Sequence, residues 1–122
     1  MAVKQKYFTG KEMTDKVYGG LLNAYYGSML NEHQKELMHL YYDCDMSLAE
    51  ISEIKNVTRQ AIRDILARST AKLASWEAKL GLIGKVQKIA EALSDIIETA
   101  DKTPAEELKK DLEALLEEIK EI

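Results

Sequence analysis

The 122-residue sequence predicts an all-α fold, and three features of its composition carry that prediction. The chain contains a single proline, Pro104, so almost no position forbids a helix. Alanine, leucine, lysine and glutamate, which favour helices, are abundant. Residues with branched β-carbons are scattered, and no alternating run is typical of a strand. We therefore expect helices throughout.

Two helix starts lie close together between Ser47 and Arg68. Ser47 and Glu50 have the spacing of a capping box, in which each side chain accepts a hydrogen bond from the other residue's backbone N–H. The helix that they open should run from about Leu48 to Ile54, and Asn56 in the following turn tolerates the left-handed conformation that a tight turn requires. Thr58 can cap a second helix through its hydroxyl. The segment predicts a helix-turn-helix, although a purely structural helical hairpin would show the same caps.

Apolar residues of this segment should hold the two helices together at a steep angle. The expected contacts are between Ile51, Ile54 and Val57 on one side and Ile62, Ile65 and Leu66 on the other. The small Ser52 lies where the helices should cross closely.

The outer side of the second helix predicts contact with DNA. A recognition helix presents its first turns to base edges in the major groove, and arginine or glutamine can hold a base by two hydrogen bonds. Phosphate contacts fix the register without reading sequence. The predicted base-reading residues are Arg59, Gln60 and Arg63, and the predicted phosphate-contacting residues are Lys55, Thr58, Arg68 and Lys72. A solvated basic helix face is the alternative.

Charge is distributed unevenly along the chain. The whole chain carries 17 Lys and Arg against 21 Asp and Glu, a net charge of −4. Residues 55–72, the basic stretch, contain five basic residues and one acidic residue, whereas residues 77–122 contain 7 basic and 12 acidic residues. A protein that binds mainly through phosphates is usually basic overall. Any nucleic-acid surface should therefore be confined to the middle of the chain, and one copy should bind weakly.

Two further helices are expected upstream of this segment. The first should run from about Met13 to near Gly27, and Asn31 with Gln34 forms the capping pair of the second. A polar turn over residues 42–46 should follow. We interpret the tyrosines at positions 25, 26, 41 and 42 as core residues rather than base-stacking platforms.

An apolar series in steps of three and four residues runs from Ile62 to Ala100, which is the period of a helix seam. The series passes through Gly81 and Gly84, so it fits either one long helix or two shorter ones. We favour a break near Gly81, because glycine is enriched just after helix ends.

The last helix should begin with Thr103 as its cap, Pro104 as its first residue and Glu106 as the capping-box acid. With the preceding helix it forms an amphipathic hairpin. The predicted dimer or partner surface is Leu108, Leu112, Leu115 and Ile119. Packing of this stripe within the molecule is the alternative. The domain organisation is therefore a flexible segment at 1–12, a helix-turn-helix domain at 13–80 and C-terminal amphipathic helices at 81–122.

Other functional classes receive little support. His33 and His39 should lie on different faces of a helix, and no cysteine or acidic residue completes a metal set with them. Glycine-rich phosphate loops and nucleophile elbows are absent. Cys44 cannot form an internal disulfide, no apolar run resembles a signal peptide, and none approaches the roughly 20 residues that span a bilayer. We expect a cytoplasmic non-enzyme without cofactor or metal.

Three stretches carry a family resemblance: YGGLLNAYYGSMLNEHQKELMHLYYDCDMSLAEI, VTRQAIRDILAR and WEAKLGL. With them, residues from about Tyr18 to Leu82 resemble the YlxM-like family of small bacterial helix-turn-helix proteins. The helix-turn-helix is also similar to region four of bacterial sigma factors. Lys55 and Asn56 depart from the aromatic or apolar residue followed by glycine expected in the turn, and Arg63 stands where a tyrosine is frequent.

The resemblance implies a sigma region-four-like helix-turn-helix bundle, a DNA-binding regulator and a tie to components of the signal recognition particle pathway. Two functions therefore stay open. One is a dimeric DNA-binding regulator. The other is an adaptor that keeps the helix-turn-helix only as a fold and binds a protein or RNA.

Overall fold

The computed structural model describes residues 15–122, which contain six α-helices and no strand. This confirms the all-α prediction. The described residues form two compact units, 15–81 and 82–122. The first contains α1 (Asp15–Tyr26), α2 (Glu32–Met38), α3 (Leu48–Lys55) and α4 (Arg59–Leu80), and the second contains α5 (Leu82–Thr99) and α6 (Ala105–Lys120). The predicted flexible segment 1–12 and the predicted helix start at Met13 lie outside the described residues.

Helix α1 packs against α4 through one buried edge. Its side chains Leu21, Leu22 and Tyr26 are buried, as the apolar spacing predicts. The hydroxyl of Tyr26 lies 2.5 Å from the carboxylate of Glu77 on α4 and donates a hydrogen bond to it. This buried ring therefore has the polar partner that a buried tyrosine usually finds.

Helix α2 begins at the predicted capping box. The Gln34 N–H donates to Asn31 Oδ1 at 2.8 Å, and the Asn31 N–H donates to Gln34 Oε1 at 3.3 Å. We predicted a polar turn that begins at residue 42. That beginning is wrong, because a π-helical turn at His39–Asp43 continues the helix. A π-helical turn has hydrogen bonds between residues five apart. Here the Cys44 N–H donates to the His39 carbonyl at 3.0 Å.

Gly81 separates α4 from α5, as we expected. It adopts the left-handed conformation, with φ 62° and ψ 23°, and its N–H donates to the Glu77 carbonyl at 2.7 Å. The seam drawn through this point does not keep one buried face, since Leu93 and Ile97 of α5 are 39% and 68% exposed. The left-handed Gly81 interrupts the seam, so the period of the seam does not predict which side of α5 is buried.

The predicted cap of α6 is wrong. The carbonyl of Pro104 accepts the Leu108 N–H at 2.9 Å, so Pro104 is the capping residue and Ala105 begins the helix. The Thr103 hydroxyl instead donates to the Thr99 carbonyl at 2.7 Å. A threonine near a helix end can bond the carbonyl four residues before it, and here that bond replaces the cap. Helices α5 and α6 pack on each other across this short connection.

Candidate nucleic-acid interface

Both caps and the turn of the predicted helix-turn-helix are present. The Glu50 N–H donates to Ser47 Oγ at 3.1 Å, and the Ser47 N–H donates to Glu50 Oε1 at 3.0 Å. This backbone donor lowers the pKa of Glu50. Asn56 is left-handed, with φ 54° and ψ 44°, and Thr58 Oγ1 accepts the Ala61 N–H at 3.1 Å. Each of these local predictions is confirmed.

Ser52 stabilises the turn through hydrogen bonds. From the sequence we predicted only that its small size would allow the two helices to cross closely. Its hydroxyl donates to the Val57 carbonyl, and its own carbonyl accepts the Val57 N–H at 3.2 Å. The Asn56 N–H also donates to the Ser52 carbonyl. Ser52 of α3 thus stabilises the turn before α4 with both its hydroxyl and its backbone carbonyl.

The apolar contact between α3 and α4 is smaller than predicted. Ile51 and Ile62 are fully buried, but Ile54 is 63% exposed and Val57 is 39% exposed. The prediction that these two residues join the core was wrong. The left-handed Asn56 ends α3 before Val57, and Ile51 is the one buried residue of this short helix.

The predicted base-reading residues lie together on the first two turns of α4. Arg59, Gln60 and Arg63 are all exposed, and the two arginines are one helical turn apart. Neither arginine takes part in an ion pair found within residues 15–122. The Gln60 amide donates to Asp64 Oδ1 at 2.9 Å, so its own side chain is already engaged.

The predicted phosphate-contacting residues do not form one cluster. Lys55 is paired with Glu36 of α2, and the Thr58 hydroxyl serves as the cap. Arg68 and Lys72 are exposed, but Arg68 lies nine residues after Arg59, which places it about two and a half turns further on, on the opposite side of α4. The structure therefore separates these cations from the base-reading side.

An open groove of about 770 Å³ adjoins the base-reading side, between α1, the π-helical turn and α4. Arg63 lines the groove, together with the tyrosines at 18, 41 and 42 and small residues of α4 such as Ala67 and Ala71. Burial raises the pKa of Tyr18, and the nearby Glu77 adds to this. Sequence reasoning missed the groove, although small residues at positions 67, 71 and 74 recur at helical spacing.

His39 has two local polar contacts. His39 does contact an acidic residue and the cysteine, with Nδ1 2.8 Å from Asp43 Oδ2 and Nε2 3.5 Å from Cys44 Sγ. The two contacts use opposite ring nitrogens and so do not converge on one point. No group of three side chains in residues 15–122 could hold a metal ion. None of the helices described here is long and apolar enough to cross a membrane.

The predicted partner surface on α6 is only partly exposed. Leu112 and Ile119 are 42% and 47% exposed, Leu108 is half-buried, and Leu115 is buried. Leu116, which the sequence reasoning left out, is 49% exposed. Its position four residues after Leu112 was the signal that could have found it.

Comparison with known proteins identifies the family of this chain. A family model described as "Putative helix-turn-helix protein, YlxM / p13 like" matches residues 13–115. The chain belongs to the UPF0122 family. The match extends beyond the resemblance seen over residues 18–82 and reaches into α6.

Relatives in this family cover most of the chain. A UPF0122 protein of Desulforamulus reducens is 44% identical over 93 residues, which is 76% of this chain and 80% of the relative. One of Clostridium novyi is 41% identical over 108 residues, 88% and 94% of the two chains. One of Thermoanaerobacter sp. is 35% identical over 114 residues, 88% and 96%. The family match therefore covers the helix-turn-helix, α5 and most of α6 of this chain.

Proposed function

We propose that the protein is a regulator that binds DNA through the first two turns of α4. Arg59, Gln60 and Arg63 would contact base edges in the major groove. The observation that carries the proposal is their shared exposure at the start of a helix that follows a short α3 and a left-handed turn. Both arginines are free of ion pairs within residues 15–122 and so can each reach a guanine by two hydrogen bonds.

Phosphate contacts would come from two places. The backbone N–H groups at the start of α4, next to Thr58, attract a phosphate through the positive end of the helix dipole. Arg68 lies about 13 Å further along the axis and on the other side of the helix, where it would meet a different part of the DNA backbone. Lys55 is held by Glu36, and its contribution would depend on release from that pair.

The acidic balance of the chain limits this binding. With a net charge of −4 and a single basic stretch, one copy would release few counterions on binding. Because each neutralised phosphate contributes a slope of about −0.9 to the salt dependence, two to four contacts give a shallow slope compared with that of strongly basic DNA-binding proteins. Affinity should be modest for one copy on one site.

Mutation of the two arginines tests the assignment. Arg59→Ala combined with Arg63→Ala should abolish sequence-specific retardation of DNA fragments selected from genomic DNA, while circular dichroism shows unchanged helicity. Lys85→Ala combined with Lys88→Ala removes the same charge from exposed positions of α5 and should leave retardation nearly intact. Unchanged binding by the double arginine variant would refute the proposal.

An adaptor is the second candidate, favoured by the acidic and partly apolar surface of residues 82–122. In that case the tie to the signal recognition particle pathway implied by the family resemblance would run through a protein or an RNA. Parallel selection from genomic DNA and from cellular RNA separates the candidates. Enrichment of RNA alone, insensitive to the arginine substitutions, would favour the adaptor.

A further inference from the structure

Residues 82–122 leave six of their large apolar side chains exposed. Of the ten exposed large hydrophobic residues in the described chain, six lie in this unit: Leu93, Ile97, Leu112, Leu116, Ile119 and Ile122. Only Ile83 and Leu115 of its large apolar residues are buried. Exposed apolar side chains that cluster along one helix face mark an interaction surface.

A shallow groove of about 340 Å³ runs along the outer side of α6. Its apolar lining is Ala105, Leu108, Leu112 and Leu116, and Lys109 and Glu113 flank it. The lining residues recur every three or four positions, which is the spacing that receives the side chains of another helix. All of them belong to α6, so a helix laid along α6 would cover the whole groove.

The charges beside the groove indicate which helix fits. Lys109 and Glu113 lie one turn apart with opposite signs, whereas Glu107, Ala114 and Glu121 lie on the far side of α6. A uniformly basic partner would face Lys109, and a uniformly acidic one would face Glu113. A second α6 running antiparallel, with the two-fold axis crossing the groove at the axial level of residue 111, pairs each Lys109 with the Glu113 of the other copy.

We propose that the protein forms a symmetric dimer in which α6 packs antiparallel on α6 of a second copy, through this groove. The same patch serves both copies, as a two-fold interface requires. The dimer carries two copies of the first turns of α4. It would therefore compensate for the few phosphate contacts that one copy makes on DNA.

Sedimentation of the full chain without DNA tests the dimer independently of the proposed DNA binding. The wild-type protein should be dimeric at tens of micromolar, and Leu112→Glu combined with Leu116→Glu should make it monomeric with unchanged helicity. Ala114→Glu adds a charge at an exposed position on the far side of the same helix and should leave the dimer intact. A monomeric wild-type protein, or equal effects of the groove and far-side variants, would overturn the proposal.

Charge reversal tests the antiparallel pairing. Lys109→Glu or Glu113→Lys alone should each weaken the dimer about threefold or more, because like charges then face each other at both symmetric positions. The double variant should recover the wild-type dissociation constant. Failure of the double variant to recover it would show that another partner, or another register, covers the groove.

Discussion

The ammonium group of Lys55, at the end of α3, forms an ion pair and hydrogen bond with the carboxylate of Glu36 on α2. The side chain of Lys55 is 24% exposed. Lys55 lowers the pKa of Glu36, mainly through the hydrogen bond. The pair joins two helices of the bundle and neutralises one of the five cations of the basic stretch.

Removal of the Glu36 charge should therefore release Lys55 for DNA. Glu36→Gln should raise DNA affinity and steepen the dependence of log K on log salt by up to about 0.9, the contribution of one phosphate contact. Titrations at several salt concentrations measure both. Glu32→Gln is the matched control, since it removes the same charge from α2 and frees Lys35, which lies outside the basic stretch. Equal changes in the two variants would mean that only net charge matters.

Two adjacent glycines of α1 should respond oppositely to alanine. A Cβ on Gly19 would lie 2.6 Å from Cζ of the Tyr42 ring, whereas a Cβ on Gly20 would lie at an ordinary 3.8 Å from that ring. Gly20→Ala should stabilise the protein by roughly 0.5–1 kcal/mol through helix propensity. Gly19→Ala should destabilise it by about 1–3 kcal/mol, because the ring must move. Urea denaturation measures both, and stabilisation by both substitutions would contradict the close packing of Tyr42 on α1.

The turn residue Asn56 should tolerate glycine but not alanine. Its φ of 54° is unfavourable for a residue with a Cβ and without a local polar side chain. Asn56→Ala should lower the free energy of unfolding by about 1 kcal/mol, and Asn56→Gly should leave it equal or higher. DNA affinity should follow the same order if the turn sets the orientation of α4. Equal stability of the two variants would indicate that the turn relaxes without cost.

The ion pair between Lys16 and Asp45 gives a pH-dependent contribution to stability. Its N–O distance is 2.8 Å, and the hydrogen bond from Lys16 lowers the pKa of Asp45 while the one to Asp45 raises the pKa of Lys16. The contribution is therefore present above the ordinary pKa of an aspartate and is lost as pH falls through the lowered value. At the alkaline end it is lost as pH rises through the raised pKa of Lys16.

Asp45→Asn tests this dependence, since asparagine also tolerates the left-handed backbone at this position, φ 53°. The variant should be less stable than wild type at neutral pH, and the difference should disappear in acid. Denaturant unfolding at a series of pH values measures it. Asp95→Asn, at an exposed carboxylate of α5 outside the ion pairs found in residues 15–122, should show no such convergence. A difference that persists in acid would rule out the ion pair as its cause.

Local features were the part of the structure that could be predicted from the sequence. The capping boxes at Ser47 and Asn31, the left-handed Asn56 and the break at Gly81 all appeared where the sequence placed them. Each depends on residues within about five positions of one another, and their hydrogen bonds are decided by backbone geometry that those residues alone dictate. The exposed side of the first turns of α4 was predictable for the same reason.

Contacts between distant residues were decided only by the tertiary structure. Nothing near Lys55 in sequence reveals that Glu36 neutralises it, and nothing near Ile54 reveals that the bundle leaves it uncovered. The Thr103 hydroxyl could either cap α6 or donate to the Thr99 carbonyl, and in the structure it donates to the carbonyl. Sequence by itself thus determined the helices, the turn and the helix-turn-helix motif. Packing decided which cations and apolar residues stay available to a partner, because burial and ion pairing depend on which helices meet.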